Sequence, residues 1–112
     1  MSIVESFKES FDFEGKKLRV YGNVDEPWFF GRDVSLILGY KEPKCSLRQH
    51  VDEEDRMDLR NIIDKWGVIH TPLKTFNKKE LAAIYINELG LYSLILRSKL
   101  EGAKYFFLSK LI

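Results

Sequence analysis

Residues 43–51 carry side chains whose types and spacing suit binding to a polyanion. Lys44 and Arg48 are four residues apart, so on a helix they lie on one side, where their cationic groups can contact phosphate oxygens. Ser46 and Gln49 can form hydrogen bonds with the edges of bases. The alternative is an ordinary solvated helix face, which the spacing alone slightly favours because charged residues line nearly every surface helix.

Two short helices are predicted to position this segment. Asp33 can accept a hydrogen bond from the N–H groups of a first helical turn. The apolar residues that follow it recur at helical spacing, at Val34, Ile37 and Leu38. Gly39 suits the left-handed conformation that ends a helix, and Tyr40 can fold back onto the last turn. Pro43 suits a first helical turn, so a second helix begins there and completes the outline of a helix-turn-helix.

A helical wheel for the second helix separates a buried side from an exposed side. Leu47 and Val51 fall together and are expected to face the core. Ser46 and Gln49 fall opposite, so both are expected to be exposed.

The composition is that of one folded domain with nearly balanced charge. The 112 residues can build one continuous core, and 45% of them are hydrophobic. The 18 basic and 17 acidic residues give a net charge of +1, so any binding to nucleic acid must depend on local charge. No stretch resembles a signal peptide or approaches the roughly 20 apolar residues that span a bilayer. These features predict a single soluble intracellular domain over residues 1–112.

Residues that could catalyse a reaction or bind a metal are few and scattered. Cys45 is the only cysteine, and together with His50 and His70 it supplies too few soft ligands for a zinc site. The sequence has no Ser/His/Asp grouping and no glycine-rich phosphate-binding motif. We therefore predict a non-enzymatic protein without a cofactor. In this interpretation His50 is a structural or DNA-edge residue, and Cys45 lies on the surface or at the helix seam.

Alternating apolar residues before the helix pair predict a small antiparallel sheet. Phe11 and Phe13 are followed by Leu18 and Val20, with a glycine-containing turn between the two pairs. A third short strand is predicted at residues 28–30, after a cluster of turn-forming residues.

Further along, the pattern predicts one helix and a second hairpin. Apolar residues at helical spacing indicate a helix over residues 55–66, with Trp66 in the core. The acidic run 52–58 repels phosphate and is expected to face away from nucleic acid. Two short apolar or β-branched runs, at 68–76 and 82–86, predict a hairpin with a polar tip at 77–79. A solvated turn is favoured over a ligand contact at that tip.

Two helices are predicted to close the chain. Asn87 can cap a helix over Glu88–Arg97, in which Gly90 indicates close backbone packing. Ser98 and Glu101 spell a capping box that starts a last helix. The apolar side of that helix comprises Ala103, Phe106, Phe107 and Leu111. The predicted fold class is α+β, with small antiparallel hairpins or a sheet packed against short helices that include the helix-turn-helix-like pair.

Two blocks of the sequence carry a family resemblance. The first is PWFFGRDVSLILGYKEPKCSLRQHVDEEDR, which contains an aromatic run, D-V, L-G-Y and H-V. The second is IYINELGLYSLILRSKLEGAKYF, which contains an acidic residue before G-L-Y, then S-K, then A-K-x-F. In this order they resemble the N-terminal domain of the BRO family, found in large DNA viruses and prophage antirepressors. That family usually continues toward E-V-L-P, whereas this chain reads FFLSKLI. This departure leaves two alternatives, a complete last helix and a domain truncated at its C-terminus.

The resemblance implies a viral DNA-binding module that acts on transcription or replication in the cytoplasm or nucleus of the host cell. We predict that the helix at 43–51 binds duplex DNA and that the basic segment after residue 96 assists. The candidate DNA-binding residues are Lys41, Lys44, Ser46, Arg48, Gln49, Arg97, Lys99 and Lys104. The alternative is a protein-interaction or oligomerisation module, such as a homodimer, in which aromatic residues at 105–107 dock a partner.

Overall fold

The computed structural model describes residues 9–13, 15–22, 25–66, 76–102 and 104–105. In these ranges the strands are β1 (Glu9–Phe13), β2 (Lys16–Gly22), β3 (Pro27–Phe30), β4 (Arg56–Asp58) and β5 (Ile84–Ile86). The helices are α1 (Gly31–Ile37), α2 (Pro43–His50), α3 (Leu59–Trp66), α4 (Lys78–Leu81) and α5 (Glu88–Arg97), and a 3-10 turn at Glu53–Asp55 precedes β4. Together they form an α+β fold, as the sequence predicts.

The strands form one antiparallel sheet in the order β1-β2-β3-β5-β4. β1 and β2 form a hairpin with Phe11 opposite Leu18, and Gly15 in its turn has a φ of 84°. Few residues other than glycine adopt that backbone conformation. β3 follows with Trp28 opposite Tyr21. The first predicted hairpin and the third strand are therefore confirmed.

Helices cover both faces of the sheet. Successive side chains on a strand point to opposite faces, so neighbouring residues of one strand belong to different buried clusters. Phe29 and Ile86 belong to a buried cluster that they share with α1, α2 and α5. Their neighbours Trp28 and Tyr85 belong to a second buried cluster, shared with α3. The sheet thus forms a middle layer, with the helix pair on one side and α3 on the other.

The second predicted hairpin is wrong. β5 pairs with β3 on one side and with β4 on the other, so strands distant in sequence occupy both of its edges. The expected tip at 77–79 instead begins α4, where Asn77 and Glu80 form a capping box. Residues 68–75, the greater part of the other predicted strand, lie outside the described residues.

The helix predicted over residues 55–66 is shorter than expected. Residues 56–58 pair with β5 as a strand, so α3 begins only at Leu59. The apolar stripe of α3 is buried as predicted, at Leu59, Ile62 and Ile63. The predicted core position of the Trp66 side chain lies outside the described part of the structure.

α1 ends at the predicted glycine turn. Gly39 has a φ of 88°, and its N–H donates to the carbonyl of Leu36 at 3.2 Å. The N–H of Tyr40 donates to the carbonyl of Ser35 at 2.9 Å. This pair of bonds defines a Schellman motif, which satisfies carbonyls at the end of a helix. Pro43 then begins α2, as predicted.

The predicted cap of α1 is wrong, because Asp33 lies inside the helix and bonds to the sheet. The N-cap residue is Phe30, which makes no side-chain capping bond. The buried Asp33 carboxylate accepts hydrogen bonds from the backbone N–H and the Nε of Arg19, each at 2.9 Å, and from its Nη2 at 3.0 Å. Hydrogen bonding to Asp33 raises the pKa of Arg19 above its usual value. These contacts tie α1 to β2.

α5 begins at the predicted cap. The Oδ1 of Asn87 accepts a hydrogen bond from the N–H of Gly90 at 2.9 Å, and its Nδ2 donates to Asp55 at 3.0 Å. A Cβ atom at Gly90 would lie 2.9 Å from Cγ1 of Val51 and 3.1 Å from Cβ of Ile86. The close packing expected at Gly90 is therefore confirmed, and it places the start of α5 against the end of α2.

Gly90→Ala is expected to lower the free energy of unfolding by up to about 2 kcal/mol. Overpacking a tight site costs roughly 1–3 kcal/mol, which outweighs a gain in helix propensity of about 1 kcal/mol. Gly102→Ala is the control, since an added Cβ there has nothing within 4 Å and is expected to be neutral or stabilising. Urea denaturation measures both, and equal responses would contradict tight packing at Gly90.

Arg19→Gln is expected to lower the free energy of unfolding by about 2 kcal/mol, because the buried Asp33 carboxylate loses its cationic partner. The loss is expected to be smaller than for a fully buried pair because the Arg19 side chain is 48% exposed. Lys17→Gln, on an exposed position of the same strand, is expected to change stability by less than about 0.5 kcal/mol. If denaturant titrations show similar losses for both variants, the pair does not anchor α1.

Candidate nucleic-acid interface

Helix α2 is packed on one side and exposes a polar arc on the other. Leu47 and Val51 are buried, as predicted. The exposed arc comprises Lys44, Cys45, Arg48 and Gln49, and the exposed Lys41 lies in the turn just before the helix. Of the predicted site residues, the structure thus brings Lys41, Lys44, Arg48 and Gln49 to one region. We call these four residues the α2 surface.

The cations of the α2 surface remain available for a ligand. Neither Lys44 nor Arg48 forms an ion pair with any residue that the structure describes. Glu42 is exposed directly before α2, and its Oε1 lies 3.5 Å from Sγ of Cys45. The exposed acidic residues that follow α2 are Asp52, Glu53 and Glu54. Positive charge is therefore local to the helix and to the turn before it, between acidic neighbours.

The expected exposure of Ser46 is wrong. Its side chain is 5% exposed, and its Oγ donates a hydrogen bond to the Pro43 carbonyl at 2.9 Å. The same Oγ lies 3.2 Å from Oγ of Ser35 on α1. α1 packs against this flank of α2, so the covered side of the helix is wider than its apolar stripe. Ser46 therefore supports the helix packing and does not belong to the α2 surface.

The basic residues at the end of α5 and just after it differ in their availability. Arg97 and Lys99 are exposed. Lys104 is partly covered, with its Nζ 3.7 Å from Oε2 of Glu101 and a side chain that is 25% exposed. Glu101 therefore contacts Lys104 instead of completing the predicted capping box, although the Oγ of Ser98 does accept a bond from the N–H of Leu100 at 3.1 Å. Lys104 is the least available of these three cations.

Two hydrogen bonds hold the end of α5 against the turn before α2. The hydroxyl of Tyr40 donates to the carbonyl of Leu94 at 2.7 Å, and the Oγ of Ser98 donates to the carbonyl of Leu38 at 2.7 Å. Burial raises the pKa of Tyr40, and the positive charge of Arg97 partly offsets this rise. The segment that carries Arg97 is therefore close to the turn from which α2 begins.

His50 lies beside Tyr40, which belongs to the turn before α2. Its ring lies 5.8 Å from the ring of Tyr40, measured between centroids, and the side chain is half-buried. Of the two alternatives for His50, a structural role or a contact to DNA, the geometry favours the first.

The structure also forms a cationic pair that the sequence did not reveal. Arg60 at the start of α3 and Lys78 at the start of α4 line a shallow cleft together with Asp58. The two cations are distant in sequence, and the polar run at 77–79 was the only local signal of this cleft. Here a carboxylate accompanies the cations, which makes the cleft less favourable for phosphate than the α2 surface.

Other classes of site have little support in the described residues. No group of three or more His, Cys, Asp and Glu side chains there could hold a metal ion. None of the described helices is long and apolar enough to cross a membrane. Among the aromatic residues expected to dock a partner, Tyr105 is 76% exposed, and residues 106 and 107 lie outside the described part of the chain.

The model of the BRO family, N-terminal domain (Bro-N), matches residues 17–109. The chain belongs to the BRO family. The Bro-N family is generally associated with DNA binding.

Similar Bro-N proteins occur in viruses. Bro-N domain-containing protein 289L of Invertebrate iridescent virus 6 is 41% identical over 98 residues, which cover 80% of this chain and 23% of that protein. Protein 019R of Invertebrate iridescent virus 3 is 32% identical over 106 residues, covering 87% of this chain and 26% of that protein. A Bro-N domain-containing protein of Acanthamoeba polyphaga mimivirus is 30% identical over 105 residues, covering 88% of this chain and 41% of that protein.

The chain spans about a quarter of the length of these iridescent-virus relatives. No solved structure matches it significantly.

Ser46→Ala is expected to lower the free energy of unfolding by about 1 kcal/mol, because the buried Ser35 hydroxyl loses its neighbour. Gln49→Ala, on the exposed arc of the same helix, is expected to change stability by less than about 0.5 kcal/mol. Chemical denaturation distinguishes the two, and a neutral Ser46→Ala with a destabilising Gln49→Ala would reverse the assignment of buried and exposed sides.

Proposed function

We propose that this Bro-N domain binds duplex DNA through the α2 surface and does not catalyse a reaction. The observation that carries the proposal is the exposure of Lys44 and Arg48 on one helix arc, where neither has an ion-pair partner among the described residues. Lys and Arg side chains supply most of the affinity of proteins for DNA by replacing counterions along the phosphate backbone.

The residues of the α2 surface have different roles in this proposal. Lys41, Lys44 and Arg48 contact phosphates, which sets the position of the helix on the duplex. Gln49 lies on the same exposed arc and has both a donor and an acceptor for a base edge. Ser46 is buried, so Gln49 is the one of the two predicted base-contacting residues that can still reach a base edge. Binding is therefore expected to be sequence-tolerant or modestly specific.

The basic segment that begins at Arg97, the last residue of α5, extends the same surface. Tyr40 and Ser98 hold this segment against the turn that precedes α2. Arg97 and Lys99 are exposed there and supply further phosphate contacts, whereas Lys104 contributes least because Glu101 is its neighbour. The proposed interface thus combines α2 with the end of α5.

The charge balance predicts weak binding that depends strongly on salt. A net charge of +1 and acidic residues next to α2 limit long-range attraction. About five phosphate contacts correspond to a slope of roughly −4.5 in log K against log salt, and to a dissociation constant of about 1–100 μM at physiological salt. Similar Bro-N proteins occur in viruses, and we propose for this domain a role in viral transcription or replication inside the host cell, in its cytoplasm or nucleus.

The direct test is an electrophoretic titration of the protein with random duplex DNA at several salt concentrations. We expect retarded DNA at low salt with protein near 10 μM, and loss of binding as salt rises. Single-stranded DNA and RNA in the same series show which polymer is preferred. Absence of any retarded duplex at about 10 μM protein and low salt contradicts the proposal.

The double variant Lys44→Ala with Arg48→Ala is expected to weaken duplex binding by about tenfold or more and to reduce the salt slope by about 2, since two phosphate contacts are lost. The double variant Arg60→Ala with Lys78→Ala is the matched control, because it removes the same charge from the cleft beside α3 and α4. Its affinity is expected to change less than about threefold. Equal losses in the two variants, with unchanged melting curves, exclude α2 as the contact surface.

A further inference from the structure

Helix α5 is apolar on two sides. Its inner side is buried in the core, at Gly90, Leu91, Leu94 and Ile95. Its outer side exposes three large apolar side chains at helical spacing, with Leu89 63% exposed, Tyr92 37% exposed and Leu96 78% exposed. A solvent-facing helix side normally carries polar residues, so a contiguous apolar stripe indicates a docking surface.

The order of residues along α5 is self-complementary. Leu89 and Leu96 are equally distant from the midpoint of the helix, which lies between Tyr92 and Ser93. When two copies of the helix align antiparallel about that midpoint, Leu89 of one copy meets Leu96 of the other. Tyr92 of one copy then meets Ser93 of the other. A two-fold interface requires this kind of pattern, because the same patch must fit itself.

The charges at the two ends of α5 agree with the same alignment. The N-terminal end carries Glu88, which lines a cleft with Asp25, Glu26 and Leu89. One of these carboxylates, Glu26, also lies 4.0 Å from Nζ of Lys65. The C-terminal end carries the exposed Arg97, followed by Lys99. In an antiparallel pair the acidic end of one copy therefore lies beside the basic end of the other, whereas a parallel pair would bring like charges together.

We propose that two copies of the domain associate through the outer side of α5, antiparallel about a two-fold axis at Tyr92 and Ser93. The α2 surface is not part of this contact, because α2 faces α5 with its buried side. A stable protein interface buries about 800 Å² on each partner, and three exposed side chains supply less than that. Association is therefore expected to be weak, with a dissociation constant in the range of about 10–100 μM.

Sedimentation equilibrium of the protein without DNA, from about 5 to about 500 μM, tests the proposal. We expect the average mass to rise from one copy to two, and Leu96→Glu to weaken association by about tenfold or more. Leu36→Glu is the matched control, because Leu36 is 39% exposed on α1 and is expected to leave association unchanged. A monomer at all concentrations, or equal effects of both variants, overturns the proposal. Because DNA is absent, this result is independent of the outcome for DNA binding.

A charge exchange tests the antiparallel alignment. Arg97→Glu is expected to weaken association by roughly two- to fivefold, since it places a carboxylate beside the acidic end of the other copy. Adding Glu88→Arg to the same chain exchanges the two charges and is expected to restore the original affinity. If the exchanged protein associates no better than Arg97→Glu alone, the ends of α5 do not meet in this way. Circular dichroism at each step checks that the variants are folded.

Discussion

Tyr40 and Ser98 hold the turn between α1 and α2 against the end of α5. Their hydrogen bonds to the carbonyls of Leu94 and Leu38 join residues 54 and 60 positions apart in the chain. The side chain of Leu100 lies over Gly39, so close that a Cβ atom there would be 2.6 Å from its Cδ1. The direction in which α2 leaves the turn depends on these contacts, and so does the exposure of its polar arc.

Further contacts, with the sheet and with the start of α5, also hold the helix pair in place. The Arg19–Asp33 pair attaches α1 to β2, while Gly90 lets the start of α5 approach Val51 at the end of α2. α2 is therefore held at both ends, although it is only eight residues long and has no side-chain cap. A helix this short is unstable alone, so tertiary contacts supply most of its stability.

The proposed DNA surface and the proposed contact between copies meet at the end of α5, where Arg97 belongs to both, whereas the α2 surface lies outside the contact between copies. The chain as a whole is nearly neutral, with a net charge of +1. Composition by itself therefore argues weakly for either function, whereas the placement of α2 and α5 supports both. If both proposals hold, a dimer presents two α2 surfaces to one duplex, which raises the effective concentration of the second surface.

The sequence was enough to predict the local features, namely the turn at Gly39, the start of α2 at Pro43 and the cap of α5 at Asn87. Each depends on a few neighbouring residues, because a cap or a turn is closed by hydrogen bonds within one helical turn. The resemblance to the BRO family was likewise evident from two continuous segments of the sequence. The packing of the whole domain decided that Ser46 is covered and that Asp33 bonds to a strand. It also decided that β5 lies between β3 and β4, because packing partners distant in sequence leave no local signal.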